Sequence, residues 1–368
     1  MPHVLTSLCG VVLLTGWMGA DAYAQAAAAT AHVAAARAAI AAQPVNPKAP
    51  FHSFQSLFDQ VCAEPSLPDV LQTQERSADV VPREEWFAWP QNIFDNLYFI
   101  GTKTAGVWAI NTPEGIIVID ANFHYSSKEL VLELLHFGLD PDTIKYIIVT
   151  HAHDDRYWGA RALQDTYPDA RVAMSAADWD VVAKDNSPAE LKPRRDMVVT
   201  DGQQITLGNV TVTLYITPGH TPGTLSMIIE PLTNQKSVAS DGGRHVAALW
   251  GGVDASIGRR GVRYYPDGEA MMSAHIESFR RFMDLGTRAG VDVILSTTLS
   301  HSNTVEKIRT WRLMNPDESG GGDPDGVLGE VARLEGEPHP FVSTDAVERF
   351  NRVLLECYEA QLAWRMGS

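Results

Sequence analysis

The stretch Tyr146-Ile147-Ile148-Val149-Thr150-His151-Ala152-His153-Asp154-Asp155-Arg156-Tyr157-Trp158-Gly159 joins a β-branched apolar run to two histidines and two aspartates. Such a run reads as a buried strand. The polar cluster then sits at the strand's C-terminal mouth, where ligands bind in layered α/β proteins. Imidazoles and carboxylates are first-row metal ligands with a preference for zinc-like ions. Side chains at i and i+2 of an extended segment share a face, so His151 and His153 can grip one ion. Asp155 lies on the same side if the segment stays extended.

Outward from this stretch the text alternates. Upstream, Asn96–Gly101, Val107–Ile110 and Ile116–Ile119 read as strands, with Pro113-Glu114-Gly115 as a hairpin turn and Asp120 closing the third. Ser126 and Glu129 are spaced as a capping box for a helix carrying Leu130, Leu134 and Leu135, ending at Gly138. The ligand-bearing strand therefore closes a β-α-β unit. Downstream, helices are predicted from Trp158 to Tyr167 and over Ala177–Lys184, with a strand over Arg171–Met174 between them. Further strands follow at Gln204–Leu207, Val210–Ile216, Leu225–Ile229, Gln235–Ala239 and Val291–Leu295. Gly251–Gly268 reads as a glycine- and arginine-rich loop, Glu269–Leu285 as a helix stopped by Gly286, and Asp345–Trp364 as a final helix. The pattern predicts α/β layers with helices outside a pair of sheets.

Histidines recur at other strand ends: His220 within Thr217-Pro218-Gly219-His220-Thr221-Pro222-Gly223-Thr224, and His301 after the last strand. A third imidazole from His220 leaves the fourth tetrahedral position open, as a catalytic zinc requires. Asp155 can bind a second cation or orient the attacking water, with His301 as its natural partner. Asp241, beside two glycines, either completes that second site or is an acidic turn residue. Asp154 supports the ligands or is solvated; His245 is a weaker candidate. Trp86 and Trp89 either line the cleft mouth or pack as ordinary aromatic rings.

The order His151-Ala-His153-Asp-Asp155 followed by Gly219-His220-Thr221-Pro222-Gly223 resembles the metallo-β-lactamase superfamily. It is most similar to class B β-lactamases of the third subclass, whose second zinc site lacks cysteine. The resemblance runs from about Phe94 to His301. It implies an αββα sandwich of two mixed β-sheets flanked by helices, with a zinc cleft at one sheet edge. It further implies a first zinc site of His151, His153 and His220 and a second of Asp155 and His301, completed by Asp241 or water, holding one or two Zn2+. The implied activity is hydrolysis of the β-lactam amide bond. The alternatives are a lactonase, esterase or phosphodiesterase on the same scaffold, or a metal-binding protein of weakened activity. The sequence departs from that subclass at Arg156, where a histidine usually stands. An arginine stays protonated and offers no lone pair, so a catalytic role beside Asp155, stabilising developing negative charge, is the expectation for it. Arg244, Arg259 and Arg260 are open candidates for holding a substrate carboxylate.

The remaining chain sets the setting. A net charge of −16 over 368 residues argues against nucleic-acid and anionic-membrane binding and leaves a small-molecule substrate. Val4–Met18 is an uncharged apolar run followed by Ala22-Tyr23-Ala24, the pattern of a cleaved signal peptide over residues 1–24. A periplasmic or secreted location is thus expected. Residues 25–50 read as an alanine- and proline-rich leader, loose or weakly helical. Residues 51–93 read as an extension packed on a hydrolase domain spanning 94–368. Two cysteines remain beyond the leader, Cys62 and Cys357, which suggest one disulfide or two separate buried thiols.

Overall fold

The computed structural model describes residues 20–42, 54–64, 81–235, 243–314 and 338–367. Among the described residues, fourteen strands form two main sheets and a small hairpin. The first sheet holds, in spatial order, β1 (Gln91–Phe94), β2 (Leu97–Phe99), β3 (Trp108–Thr112), β4 (Gly115–Ile119), β5 (Ile144–Ile148), β6 (Arg171–Ser175) and β7 (Met197–Val199). It is antiparallel through β4 and parallel from β4 to β7. In the second half of the chain lie β8 (Gln203–Leu207), β9 (Val210–Ile216), β10 (Leu225–Thr233) and β11 (Arg244–Leu249). The hairpin β12 (Gly258–Arg259) and β13 (Val262–Arg263) follows, and then β14 (Val293–Leu295). The second sheet runs β14-β11-β10-β9-β8, with β14 parallel to β11 and the rest antiparallel.

Alternation along β4 shows why a continuous apolar run forms a strand here. Ile117 and Ile119 enter the core between the sheets, while Ile116 and Val118 enter the core under the outer helices. A strand buried on both faces needs no polar alternation. Each fully buried isoleucine contributes about 2 kcal/mol of hydrophobic stabilisation. The outer helices over this sheet are α4 (Ser127–His136), α6 (Ala160–Thr166) and α7 (Ala176–Lys184), preceded by the short turns α3 (Arg83–Trp86) and α5 (Asp154–Tyr157). The other face is covered by α8 (Gly268–Ala289) and α10 (Thr344–Gly367), with α1 (Ala20–Ala41) and α2 (Gln55–Val61) against them. A further helix, α9 (Thr304–Met314), brings Trp311 to the inter-sheet core. The expected αββα sandwich is the fold.

Several local expectations change. Ser126 caps nothing with its side chain, which donates instead to the Phe123 carbonyl at 2.9 Å, and Glu129 pairs with Arg83 at 2.6 Å. Helix α8 runs past Gly286, which is buried against Val291, and stops at Gly290 with φ +72°. Only glycine takes that left-handed position cheaply. The first sheet begins at Gln91, ahead of the Phe94 boundary; β11 is an additional strand, and the Gly251–Gly268 stretch expected to be a loop contains the β12–β13 hairpin. Within the Gln235–Ala239 strand, residues 236–239 lie outside the described residues, as do residues 1–19 of the expected signal segment.

The described part of the alanine-rich leader, residues 25–42, is helical over 25–41 as part of α1 and packs on the main domain. Ala36 and Ala39 of α1 share a core with Val353, Leu354 and Cys357 of α10. Arg349 donates to the carbonyls of Ala39 (3.3 Å) and Ile40 (3.2 Å). A cation there satisfies the orphan acceptors at a helix C-terminus. Beside this contact Cys62 and Cys357 form a disulfide, with their Cα atoms 4.6 Å apart.

Candidate metal centre

Strand β5 ends at Ile148 and delivers Thr150 and His151 to the sheet edge; the chain then bends over His151–His153, where the His153 N–H donates to the His151 carbonyl at 3.0 Å, so the two histidines converge through a tight turn and not through the extended face predicted for them. Helix α5 starts at Asp154, so Asp155 reaches the cleft from a helical turn, not from the extended face predicted for it. The turn before β10 brings His220 across. Its Nε2 lies 3.0 Å from both His151 Nε2 and His153 Nδ1. These three form a convergent, buried ligand group.

Tautomers can be read from the outer contacts. His151 Nδ1 lies 2.8 Å from the Gly251 carbonyl and His220 Nδ1 contacts the Asp254 carbonyl. A carbonyl only accepts, so both Nδ1 atoms carry the proton. Both Nε2 atoms are then bare lone pairs facing each other at 3.0 Å, an arrangement no hydrogen bond explains and a cation does. Burial lowers the pKa of His151 and His153 well below the ordinary histidine range, and that of His220 to about 4. All three are neutral at pH 7, the state that binds metal. The donor set fits a zinc-like ion.

The supporting contacts come from all around the cluster. Asp120, buried with φ +64°, accepts from the Thr150 N–H (2.7 Å) and the Thr150 hydroxyl (2.9 Å). Burial raises its pKa to about 7, against the pull of Arg156. Asp178 on α7 accepts from the Ala152 N–H (2.8 Å), the Thr221 hydroxyl (2.7 Å) and the Gly223 N–H (2.8 Å). One carboxylate thereby ties the His151–His153 segment to the His220 turn. A Cβ at Gly252 would overlap the His220 ring, and one at Gly219 would overlap His275. Neither the aspartates nor Gly252 was singled out in the sequence as site residues. A glycine in an arginine-rich loop and an acidic residue in a helix carry no local mark of a partner far along the chain.

The other candidates separate. Arg156 is buried, its Nη2 3.1 Å from Asp155 Oδ2 and 3.0 Å from Thr298 Oγ1, its Nη1 donating to the Thr297 carbonyl. His301 is buried at the cleft, with Nε2 3.8 Å from Asp254 Oδ2 and Nδ1 lacking a hydrogen-bond partner among the described residues. Neither Asp155 nor His301 joins the convergent group of the described residues. Asp241 lies outside the described residues. Asp154 is not solvated: it is fully buried and paired with Arg259 at 2.7 Å and Arg260 at 2.6 Å. His245 sits on β11 with Asp292 at 2.7 Å, outside the cleft lining. Trp86 and Trp89 pack against Tyr125 and Phe87 and do not line it. The cleft itself, about 330 Å3, is walled by the three histidines, Asp155, Arg156, Asp254, Ser256, Arg259 and Thr298 among others. Of the three open arginines, only Arg259 reaches it; Arg260 lies over the Trp158 ring at 4.6 Å.

Residues 105–230 match the family model of the metallo-β-lactamase superfamily. A metallo-β-lactamase of Cronobacter sakazakii with a HARLDQ motif is similar in structure (TM-score 0.56, 24% identity), covering 76% of this chain and 97% of that one. BJP-1, a subclass B3 metallo-β-lactamase of Bradyrhizobium japonicum, is similar too (TM-score 0.55, 21% identity), covering 77% and 97%. A hydroxyacylglutathione hydrolase of Acidiphilium cryptum is 38% identical over 80 residues, which is 22% of this chain and 28% of that protein. The chain spans less than two thirds of the length of the curated relatives it matches. With the three histidines converging at the sheet edge, the segment 105–230 matches the metallo-β-lactamase superfamily, and the fold around it is the metallo-β-lactamase fold.

Proposed function

We propose that the protein is an exported, zinc-dependent hydrolase that opens the amide bond of β-lactams. The observation that carries this reading is the pair of bare Nε2 atoms of His151 and His220 facing each other, with His153 Nδ1 beside them. His151, His153 and His220 would hold a zinc ion there, which would supply Lewis acidity and lower the pKa of a water to about 7. The chain's own residues do the rest. Asp155, on the cleft wall, orients the attacking water and takes its proton, while Arg156 holds its Oδ2 in place. Arg259 offers an anion contact at the cleft, its guanidinium fixed by Asp154 and still 21% exposed. Among the described residues Asp154 is its only side-chain partner, so its other donors are left for a substrate carboxylate.

A second reading, a thioester or lactone hydrolase, is favoured by the match to a hydroxyacylglutathione hydrolase. Export is supported by the Val4–Met18 run and by the Cys62–Cys357 disulfide. Cleavage after Ala24 would remove only the first turn of α1 and leave its buried Ala29, Ala36 and Ala39 in place.

The purified protein should hydrolyse a chromogenic cephalosporin and a carbapenem, and lose that turnover with chelator. A homoserine lactone and a glutathione thioester serve as the competing substrates. Chelator-sensitive turnover of those two alone would move the assignment to the second reading.

A further inference from the structure

The fold family implies a second metal position beside the three histidines, formed from Asp155 and His301. The residues of this chain do not fit it. We infer that the Arg156 guanidinium is the second cation of this site, so that the protein holds one metal ion and excludes a second.

The guanidinium lies where a second ion would have to compete with it. Its Nη2 contacts Asp155 Oδ2 at 3.1 Å, and its Nη1 is 3.9 Å from Asp120 Oδ2. The same group donates to the Thr297 carbonyl and to Thr298 Oγ1 (3.0 Å). It therefore spans from the α5 turn to the segment that leads into His301, the two rims that an ion bound by Asp155 and His301 would join. An arginine side chain does not deprotonate in proteins, so it cannot yield by losing its charge. With its side chain only 4% exposed it has no room to swing into solvent. A divalent ion placed there would meet a like charge at contact range with little water between. His301 agrees: its Nε2 turns to Asp254, and no ligand atom of His301 or Asp155 joins the converging set. Arg156 is thus a positioning residue, a permanent cation doing the cross-bracing that a bound ion would otherwise do.

The inference rests on the three-histidine centre proposed above, and metal counting separates the two. The full chain is dialysed against micromolar zinc and its bound metal counted by mass spectrometry, for wild type, His301→Ala, Arg156→His and the double variant. Expected are one ion in wild type and one in His301→Ala. Arg156→His should gain a second ion, which the double variant loses again. Two ions in wild type would overturn the inference and leave the three-histidine centre standing, whereas loss of the single ion in His301→Ala would overturn both. A single ion in folded Arg156→His would overturn it as well. No bound ion in wild type would sink both readings. If Arg156→His does not fold, the wild-type and His301→Ala counts decide alone.

Discussion

Replacing Asp178 with alanine should separate metal affinity from stability. Its carboxylate accepts two backbone N–H groups, of Ala152 and Gly223, and the Thr221 hydroxyl. In the variant the hydroxyl can turn to Thr224 Oγ1, 2.7 Å away, but the two buried N–H groups lose their acceptor. Each orphaned donor costs about 1–3 kcal/mol. Against this, burial raises the Asp178 pKa from 3.8 to about 6, so keeping it ionised at pH 7 costs about 3 kcal/mol. The two effects largely offset, and the net stability change should stay within about 3 kcal/mol. Metal binding has no such compensation. Ala152 lies between two ligands and Thr221 beside the third, so zinc affinity should fall roughly 10- to 100-fold. Competition with a chromophoric chelator reads the affinity, and thermal melts read the stability. A folded Asp178→Ala protein with wild-type zinc affinity would refute the bracing role. The pH sign is also fixed. A folded pKa above the unfolded one gives stability that is full below about 4 and lost as pH rises through about 6. The metal-free wild type should show that loss, and the variant should lack it.

Further perturbations address other parts of the molecule. Gly252→Ala should push the His220 ring aside, because the new Cβ overlaps it; at least a tenfold loss of zinc affinity is expected, on the scale of a lost supporting contact. Glu133, buried on α4, has its pKa raised to about 9 by burial. Glu133→Gln should therefore leave stability at pH 4 nearly unchanged and raise it by up to about 3 kcal/mol at pH 7, as melts at the two pH values would show. Reducing the Cys62–Cys357 disulfide, which closes a loop with a sequence separation of 295, should cost up to about 5 kcal/mol by loop entropy. A melting temperature unmoved by reductant would contradict that. Arg259→Ala should raise KM for carboxylate-bearing substrates roughly tenfold and leave neutral ester analogues unaffected.

What the sequence made legible was local or periodic. The Tyr146–Val149 run, the H-x-H spacing and the His220 turn announced a strand mouth and a metal because each signal lies within a few residues. Arg156 stood out one residue past the motif, although only its contacts with Thr297 and Thr298 reveal what it braces. Asp154 could be read as a ligand support or as a solvated group, because its two arginine partners come more than a hundred residues later. Asp178 and Gly252 stayed silent for the same reason: their meaning lies in Ala152, Thr221 and His220, which only the folded chain brings near. The helical turn at Asp154 broke an extrapolation that assumed extended backbone, since four residues carry too little pattern to declare a helix.

The covalent tie between α2 and α10 also sets how the molecule would bear load. A pull applied between the two ends passes through α1, the Cys62–Cys357 bond and the last turns of α10. Both sheets and every ligand-bearing turn lie inside the closed ring, off the line of force. Stretched by its ends, the oxidised protein should peel its terminal helices first and keep the histidine cluster assembled. The reduced protein has no such bypass, and the same pull would run through the sheets that carry it.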